Sequence, residues 1–272
     1  MSHANDGYDA AREVESLSRS VAEHPDDADA WYNLGLAHKY LHDWRASADA
    51  NRRALEIRSE PGDPAWWNLG IAATALRDWR LARTAWRSFG IDHDELADGD
   101  GPIELDWGPT PVRLIMTSGE LREVVWGRRV CPARIKIQNI PLPESGHRWG
   151  DVVLHDGAPN GERVVDGRAY PVFDELERWG PSEIATLECM VRCASDDDVD
   201  ALIDAFRVER FDAEDWSTNV RTLCKACSEG VPEAVHDHRF PAGEEEHVVG
   251  IAAPPVLAAR AAIVARRLAA HA

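Results

Sequence analysis

The block Trp31-Tyr32-Asn33-Leu34-Gly35 returns 35 residues later as Trp66-Trp67-Asn68-Leu69-Gly70. A second block keeps that offset, since Leu41-His42-Asp43-Trp44-Arg45 matches Leu76-Arg77-Asp78-Trp79-Arg80. Two blocks on one offset define a structural repeat. This feature constrains the fold more than any other, because a single unit of this size buries its apolar face only against its neighbour. Between the blocks Ala48, Asn51, Ala54 and Leu55 recur at helical spacing, and Pro61-Gly62-Asp63-Pro64 breaks the pattern. Residues 8–25, ending in Glu23-His24-Pro25, read as the second helix of an earlier, truncated unit. The pattern predicts about five helices over residues 8–90. Gly35 and Gly70 would let the helices of a pair approach closely, and Trp31 and Trp66 would fill the space between pairs. So short an array needs its last helix capped by the next domain.

At these residues the chain resembles the tetratricopeptide-repeat family, whose pattern is Trp-x2-Leu-Gly-x2-Tyr, then small residues and a closing proline. Trp31, Leu34 and Gly35 carry the resemblance in one copy, and Trp66, Leu69 and Gly70 in the next. His38 and Ala73 replace the tyrosine, and one small position is Ser47 in the first copy and Ala82 in the second. The resemblance implies a concave groove that binds a peptide or helix of a partner protein. It places Asn33 and Asn68 at the position that hydrogen-bonds peptide backbone. One subfamily clamps a C-terminal carboxylate with lysines one turn earlier, but Asp29 and Pro64 stand there, which argues against that mode. Tyr32 and Trp67 read as exposed aromatic anchors. Arg45 and Arg80 belong to an arginine excess on the second helices, which reads either as a solvated face interleaved with acids or as a surface for an acidic partner.

After Gly90 the residues 92–102 are acidic and rich in breakers, and they read as a linker. Leu96 and Gly99 interrupt the alternating oxygen ligands that a calcium loop needs. Residues 103–180 read as a small β-rich, barrel-like domain, with period-two alternation through Val124-Val125-Trp126 and Arg134–Ile140. The run Asn139-Ile140-Pro141 followed by Trp149-Gly150-Asp151-Val152-Val153 resembles a motif of uncharacterised bacterial domains, which brings no known activity. Residues 181–272 alternate strand and helix, with strands around Leu187–Cys193, Asn219–Cys224 and His247–Ala252. Ser195 caps a helix, and an Ala/Arg-rich helix closes the chain over 255–270. The order β-α-β-β-α predicts a ferredoxin-like α/β sandwich that lacks or borrows one strand. The fold class expected is therefore multidomain, α plus α/β. The parts are a helical-repeat domain at 1–91, the linker at 92–102, a β-rich domain at 103–180 and the sandwich at 181–272.

Chemistry gathers at Cys224-Lys225-Ala226-Cys227 and His236-Asp237-His238. A Cys-x2-Cys turn can hold two thiolates on one metal, and a loop over residues 224–238 can close a Cys2His2 site on a structural zinc ion. Two other readings stay open: a core thiol with surface histidines, or a redox pair. His147, Asp151, His155 and Asp156 form a second polar cluster, fit for metal or acid–base work or for turns. Cys131 would be a nucleophile only beside a histidine such as His147 or His155. The chain has no Gly-x-Ser-x-Gly elbow, P-loop or Gly-x-Gly-x-x-Gly, and no catalytic residue is assigned.

A net charge of −18 disfavours nucleic acid, and no apolar run is long enough to span a membrane. With no secretory signal and an odd count of five cysteines, a reducing cytoplasm is expected. These readings converge on a cytoplasmic, bacterial-type adaptor or scaffold. Its groove binds a protein partner, and its C-terminal half serves as a second binding or regulatory module. The alternative is a metal-dependent enzyme in the C-terminal half, with the repeats recruiting substrate. An uncapped array could also stack on its own copy as a homo-oligomer.

Overall fold

A computed structural model describes residues 9–96, 99–116, 121–217, 222–224 and 246–269. Its contacts divide the chain into two units. The first runs to Gly108 and takes in two strand segments, Arg129–Ile135 and Leu154–Asn160; the second holds the remainder.

The first unit begins with five helices: α1 (Ala10–Glu23), α2 (Ala28–Tyr40), α3 (Trp44–Ile57), α4 (Pro64–Ala75) and α5 (Trp79–Phe89). An aspartate caps every one of them. Asp9, Asp27, Asp43, Asp63 and Asp78 each accept a backbone N–H of the first turn, at 2.9–3.2 Å. Such a cap stabilises a helix by about 1 kcal/mol. The repeat reappears in the packing. A Cβ on Gly35 would overlap the Asn51 amide of α3, and one on Gly70 would lie 2.6 Å from the Trp86 ring of α5. Gly35 and Gly70, and Asn51 and Trp86, are again 35 residues apart. At the equivalent turns His42 and Arg77 both take positive φ, at 57° and 61°.

Within residues 92–102, expected as a linker, the segment from Gly99 to Pro102 is held on α5. Arg83 donates to the carbonyls of Gly99 at 3.1 Å and Gly101 at 2.7 Å, and Leu96 is fully buried. Arg134, from one of the added strand segments, stacks on Trp79 of α5 and donates to Glu104 and the Ile103 carbonyl. These residues cover the outer face of the last helix.

The second unit is β-rich. Its strands are β1 (Pro109–Ile115), β2 (Leu121–Cys131), β3 (Arg134–Ile137), β4 (Val152–Val165), β5 (Arg168–Gly180) and β8 (Thr222–Cys224); the end of β2, the start of β3 and the middle of β4 belong to the first unit. They form one sheet in the order β1-β5-β4-β3-β2-β8. Because β1 also pairs with β2, the first five strands close into a ring. A smaller sheet follows, from β6 (Ala185–Arg192), β7 (Asp212–Asp215) and β9 (Glu246–Ala253), in the order β6-β9-β7 with antiparallel neighbours. Helices α6 (Asp196–Val208) and α7 (Ala258–Ala269) cover one face through Val199, Phe206, Val264 and their neighbours. On the other face Trp216 fits over Gly250, where a Cβ would overlap its indole, and donates from Nε1 to the Ile140 carbonyl at 3.0 Å.

The expected ferredoxin-like α/β sandwich is thereby corrected. It required the strand at Asn219–Cys224 to share a sheet with those at Leu187–Cys193 and His247–Ala252, but the small sheet joins β6 and β9 to β7 instead. The strand predicted near Asn219–Cys224 does form, as β8, but it pairs with β2 of the larger sheet, Leu121 opposite Cys224. Alternation identifies a strand without naming its neighbour, so the sequence assigned β8 to the wrong sheet. The chain is a set of helices in its first 90 residues followed by a β-rich region.

Candidate functional site

The polar centre of the first unit lies where α2 and α4 meet the strand segment Leu154–Asn160. Lys39, in the last turn of α2, is only 3% exposed. Its ammonium donates to Asp156 Oδ1 at 3.0 Å and to Asn68 Oδ1 at 3.3 Å, and it sits 4.8 Å from the Tyr40 ring centroid. The Tyr40 hydroxyl donates to Asp156 Oδ2 at 3.0 Å. A buried ammonium is costly without a counter-charge and further hydrogen bonds, and Asp156 and Asn68 supply both. Burial alone would raise the Asp156 pKa, but Lys39 and Tyr40 outweigh it and hold the carboxyl below its ordinary range.

Beside this centre Gly157 lies flat on Trp67, since a Cβ there would overlap the indole. Trp67 meets Trp86 and Phe89 edge to face, at 5.1 and 4.9 Å. An open cleft of about 350 Å³ remains, lined by Tyr32, Leu36, Tyr40, Pro64, Trp67 and Phe89, with Asp156–Ala158 along one side. Burial raises the Tyr32 pKa, the Asp156 and Asp63 carboxylates add to this, and a hydrogen bond with Asn68 opposes it. Its hydroxyl is therefore neutral at ordinary pH. The floor of the cleft is polar and internally satisfied; its walls are aromatic and aliphatic.

The residues expected to bind a partner separate on inspection. Tyr32, Trp67 and Asn68 line this cleft. Tyr32 and Trp67 are half-buried rather than exposed, and the Asn68 oxygen is taken by Lys39. Asn33, its equivalent in the repeat, is exposed and lies outside the cleft lining. Arg45 is exposed, and Arg80 pairs with Asp100 at 2.8 Å. Sequence reading passed over Leu36, Lys39, Tyr40, Phe89 and Gly157, and it named Asp156 only in the polar cluster with His147, Asp151 and His155. Helical spacing held part of the signal, because residues 32, 36, 39 and 40 fall on one face. Nothing local tied Asp156 to these helices, since it lies 117 positions from Lys39.

The second polar cluster divides between the two units. In the second unit His147 Nε2 bonds Glu175 Oε1 at 2.7 Å and its Nδ1 bonds the Ser145 carbonyl at 2.9 Å. Both partners accept, so the doubly protonated ring suits them. Burial opposes that charge, but Glu175 and the Ser145 carbonyl prevail and raise the His147 pKa. Asp151 is fully buried and accepts from the backbone N–H groups of Ser182 and Arg148. In the first unit His155 is fully buried, with Nδ1 donating to the Asp156 carbonyl at 2.7 Å. Burial, aided by the Arg129 cation, lowers its pKa to about 3. Cys131 is buried, and its Sγ takes a hydrogen bond from Arg134 Nε at 3.3 Å. These groups secure turns and strand ends.

Of the expected zinc ligands, Cys224 ends β8, while Cys227, His236 and His238 lie outside the described residues. Among the described residues no group of three or more His, Cys, Asp or Glu side chains is placed to hold a metal ion. No described helix is long and apolar enough to cross a membrane. In comparisons with known proteins, no family model matches this chain and no curated protein matches it.

Proposed function

We propose that this chain is an adaptor or scaffold whose helical unit binds a peptide or helix of a partner protein in the cleft between α2 and α4. The observation that carries the reading is the division of labour in that cleft. Its cation is already paired with Asp156 and its amide oxygen accepts from that cation, which leaves Tyr32, Leu36, Pro64, Trp67 and Phe89 as contact surface. Aromatic side chains around a concave site are typical anchors of protein interfaces. The resemblance of residues 8–90 to tetratricopeptide repeats supports the same use. The internal carboxylate further indicates the ligand: an apolar or aromatic side chain on an extended or helical segment, not an acidic terminus. The β-rich unit serves as a second binding or regulatory surface. Free thiols at Cys131, Cys189 and Cys193 support a reducing, cytoplasmic setting.

A random peptide library displayed on phage and selected on the full chain tests this reading. Enriched sequences should carry aromatic or aliphatic anchors. Their affinity should drop at least tenfold with Leu36→Arg, because the new charge must be desolvated in the cleft. Failure to enrich any sequence, or equal binding to the Leu36→Arg chain, contradicts it.

A further inference from the structure

Among the described residues the small sheet has two edges of different kind. β7 is four residues long and carries Asp212 and Glu214, a short charged edge that discourages pairing. β6 runs for eight residues with neither proline nor lysine. Its backbone polarity follows from its neighbour. Val248 of β9 accepts from Trp216 N at 2.8 Å, and its own N–H donates to Ser217 Oγ at 2.6 Å, so both its backbone groups face the β7 side. Met190 stands opposite Val248. Opposed residues of an antiparallel pair exchange both hydrogen bonds or neither. The N–H and C=O of Met190 therefore point away from β9, out of the sheet edge, and so do those of Glu188 and Arg192.

The side chains of these three residues share the outer face and are all exposed, Met190 at 65%. On the inner face Leu187 and Cys189 pack only partly against the core under α6 and α7. Beside them opens a cleft of about 570 Å³ lined also by Ile251, Ala262 and Ala265.

We propose that a second copy of this chain adds its own β6 antiparallel to this edge, about a two-fold axis through Met190 and perpendicular to the sheet. Face and hydrogen bonding together restrict the register. Directly opposed residues must lie on one face and must both aim their backbone groups at the partner strand, so even-numbered residues pair with even-numbered ones. Centring on Glu188 would oppose two like charges. Centring on Met190 sets Glu188 against the second copy's Arg192, twice by symmetry, with the two methionines in contact between them. The pairs 188–192, 190–190 and 192–188 then exchange about six backbone hydrogen bonds. Arg192 already bonds Glu246 at 2.7 Å, which holds its guanidinium over the outer face where the incoming carboxylate arrives. Leu187 and Cys189 gain the cover that the three-stranded sheet withholds, and the two sheets become one of six strands.

Sedimentation velocity of the full chain from nanomolar to high micromolar concentration tests this. The natural chain should show a monomer–dimer equilibrium. Glu188→Arg should weaken the dimer about tenfold, by opposing Arg192 of the second copy. Glu188→Arg with Arg192→Glu should restore it. Met190→Pro removes an N–H that the monomer's own sheet does not use, so the chain should fold with an unchanged circular dichroism spectrum and remain monomeric. A natural chain that is monomeric throughout overturns the proposal. A dimer indifferent to Glu188→Arg and Met190→Pro overturns the assignment to this edge, and failure of the double variant to restore pairing overturns the register.

Discussion

Replacing Asp156 with alanine removes the only carboxylate bonded to Lys39 among the described residues and leaves an ammonium that is 3% exposed. Breaking a buried pair from one side costs about 3–5 kcal/mol, because the surviving charge stays desolvated. The lost Tyr40 hydrogen bond falls within that range. The loss should appear in the helices, since Lys39 also fixes Asn68 of α4. Native-state hydrogen exchange of the α2 and α4 amides measures it for this unit alone. Removing both charges with Lys39→Met and Asp156→Ala should cost less than Asp156→Ala by itself, because no uncompensated ion then remains. The acid response supplies a control. The folded carboxyl has a pKa below its unfolded value, so its contribution is complete above the unfolded pKa near 4 and fades as pH falls through the folded one. The alanine variant should lack that component. A loss below about 1 kcal/mol in the single variant, or a double variant as unstable as the single, would refute the reasoning.

Gly157→Ala should destabilise the first unit by about 1–3 kcal/mol through overlap with Trp67, and Gly70→Ala should act similarly through Trp86; chemical denaturation monitored by tryptophan fluorescence reads both. The two buried histidines should give opposite pH responses, resolved by hydrogen exchange at several pH values. His155, whose pKa falls to about 3, contributes stability that is complete above its unfolded value near 6.5 and is lost toward pH 3, so the first unit weakens in acid. His147 has a raised pKa, so its contribution is complete below about 6.5 and is lost as pH rises through the folded value; Glu175→Gln should flatten that dependence. Asp78→Ala should cost about 1 kcal/mol by uncapping α5, seen as a lower midpoint of thermal unfolding.

The helices were legible because their information is local. The repeated blocks, the helical spacing of Ala48, Asn51, Ala54 and Leu55 and the break at Pro61–Pro64 all act within a few residues of where they stand. Trp67, Tyr32 and Asn68, which the repeat singled out, line the candidate cleft. Their surroundings were not, because Asp156 and Gly157 arrive from a strand far along the chain, and no periodicity encodes that meeting. The same limit explains β8. Its residues alternate as a strand should, yet the choice of β2 as its neighbour, rather than β6 or β9, depends on the path of the whole chain. The residues 92–102 have the composition of a linker, and nothing local in it shows that Arg83 of α5 takes the Gly99 and Gly101 carbonyls.

The most direct test of the proposed cleft is the tryptophan indole N–H spectrum of the full chain, titrated with a peptide selected from the display library. The chain has 11 tryptophans, and the Trp67 resonance can be assigned with Trp67→Phe. Trp67 lines the cleft, so its indole resonance should shift in proportion to bound peptide while those of Trp126, Trp179 and Trp216 in the second unit stay in place. A saturating peptide that leaves Trp67 unmoved and shifts the second unit's tryptophans would contradict the account and transfer the binding site to the β-rich half.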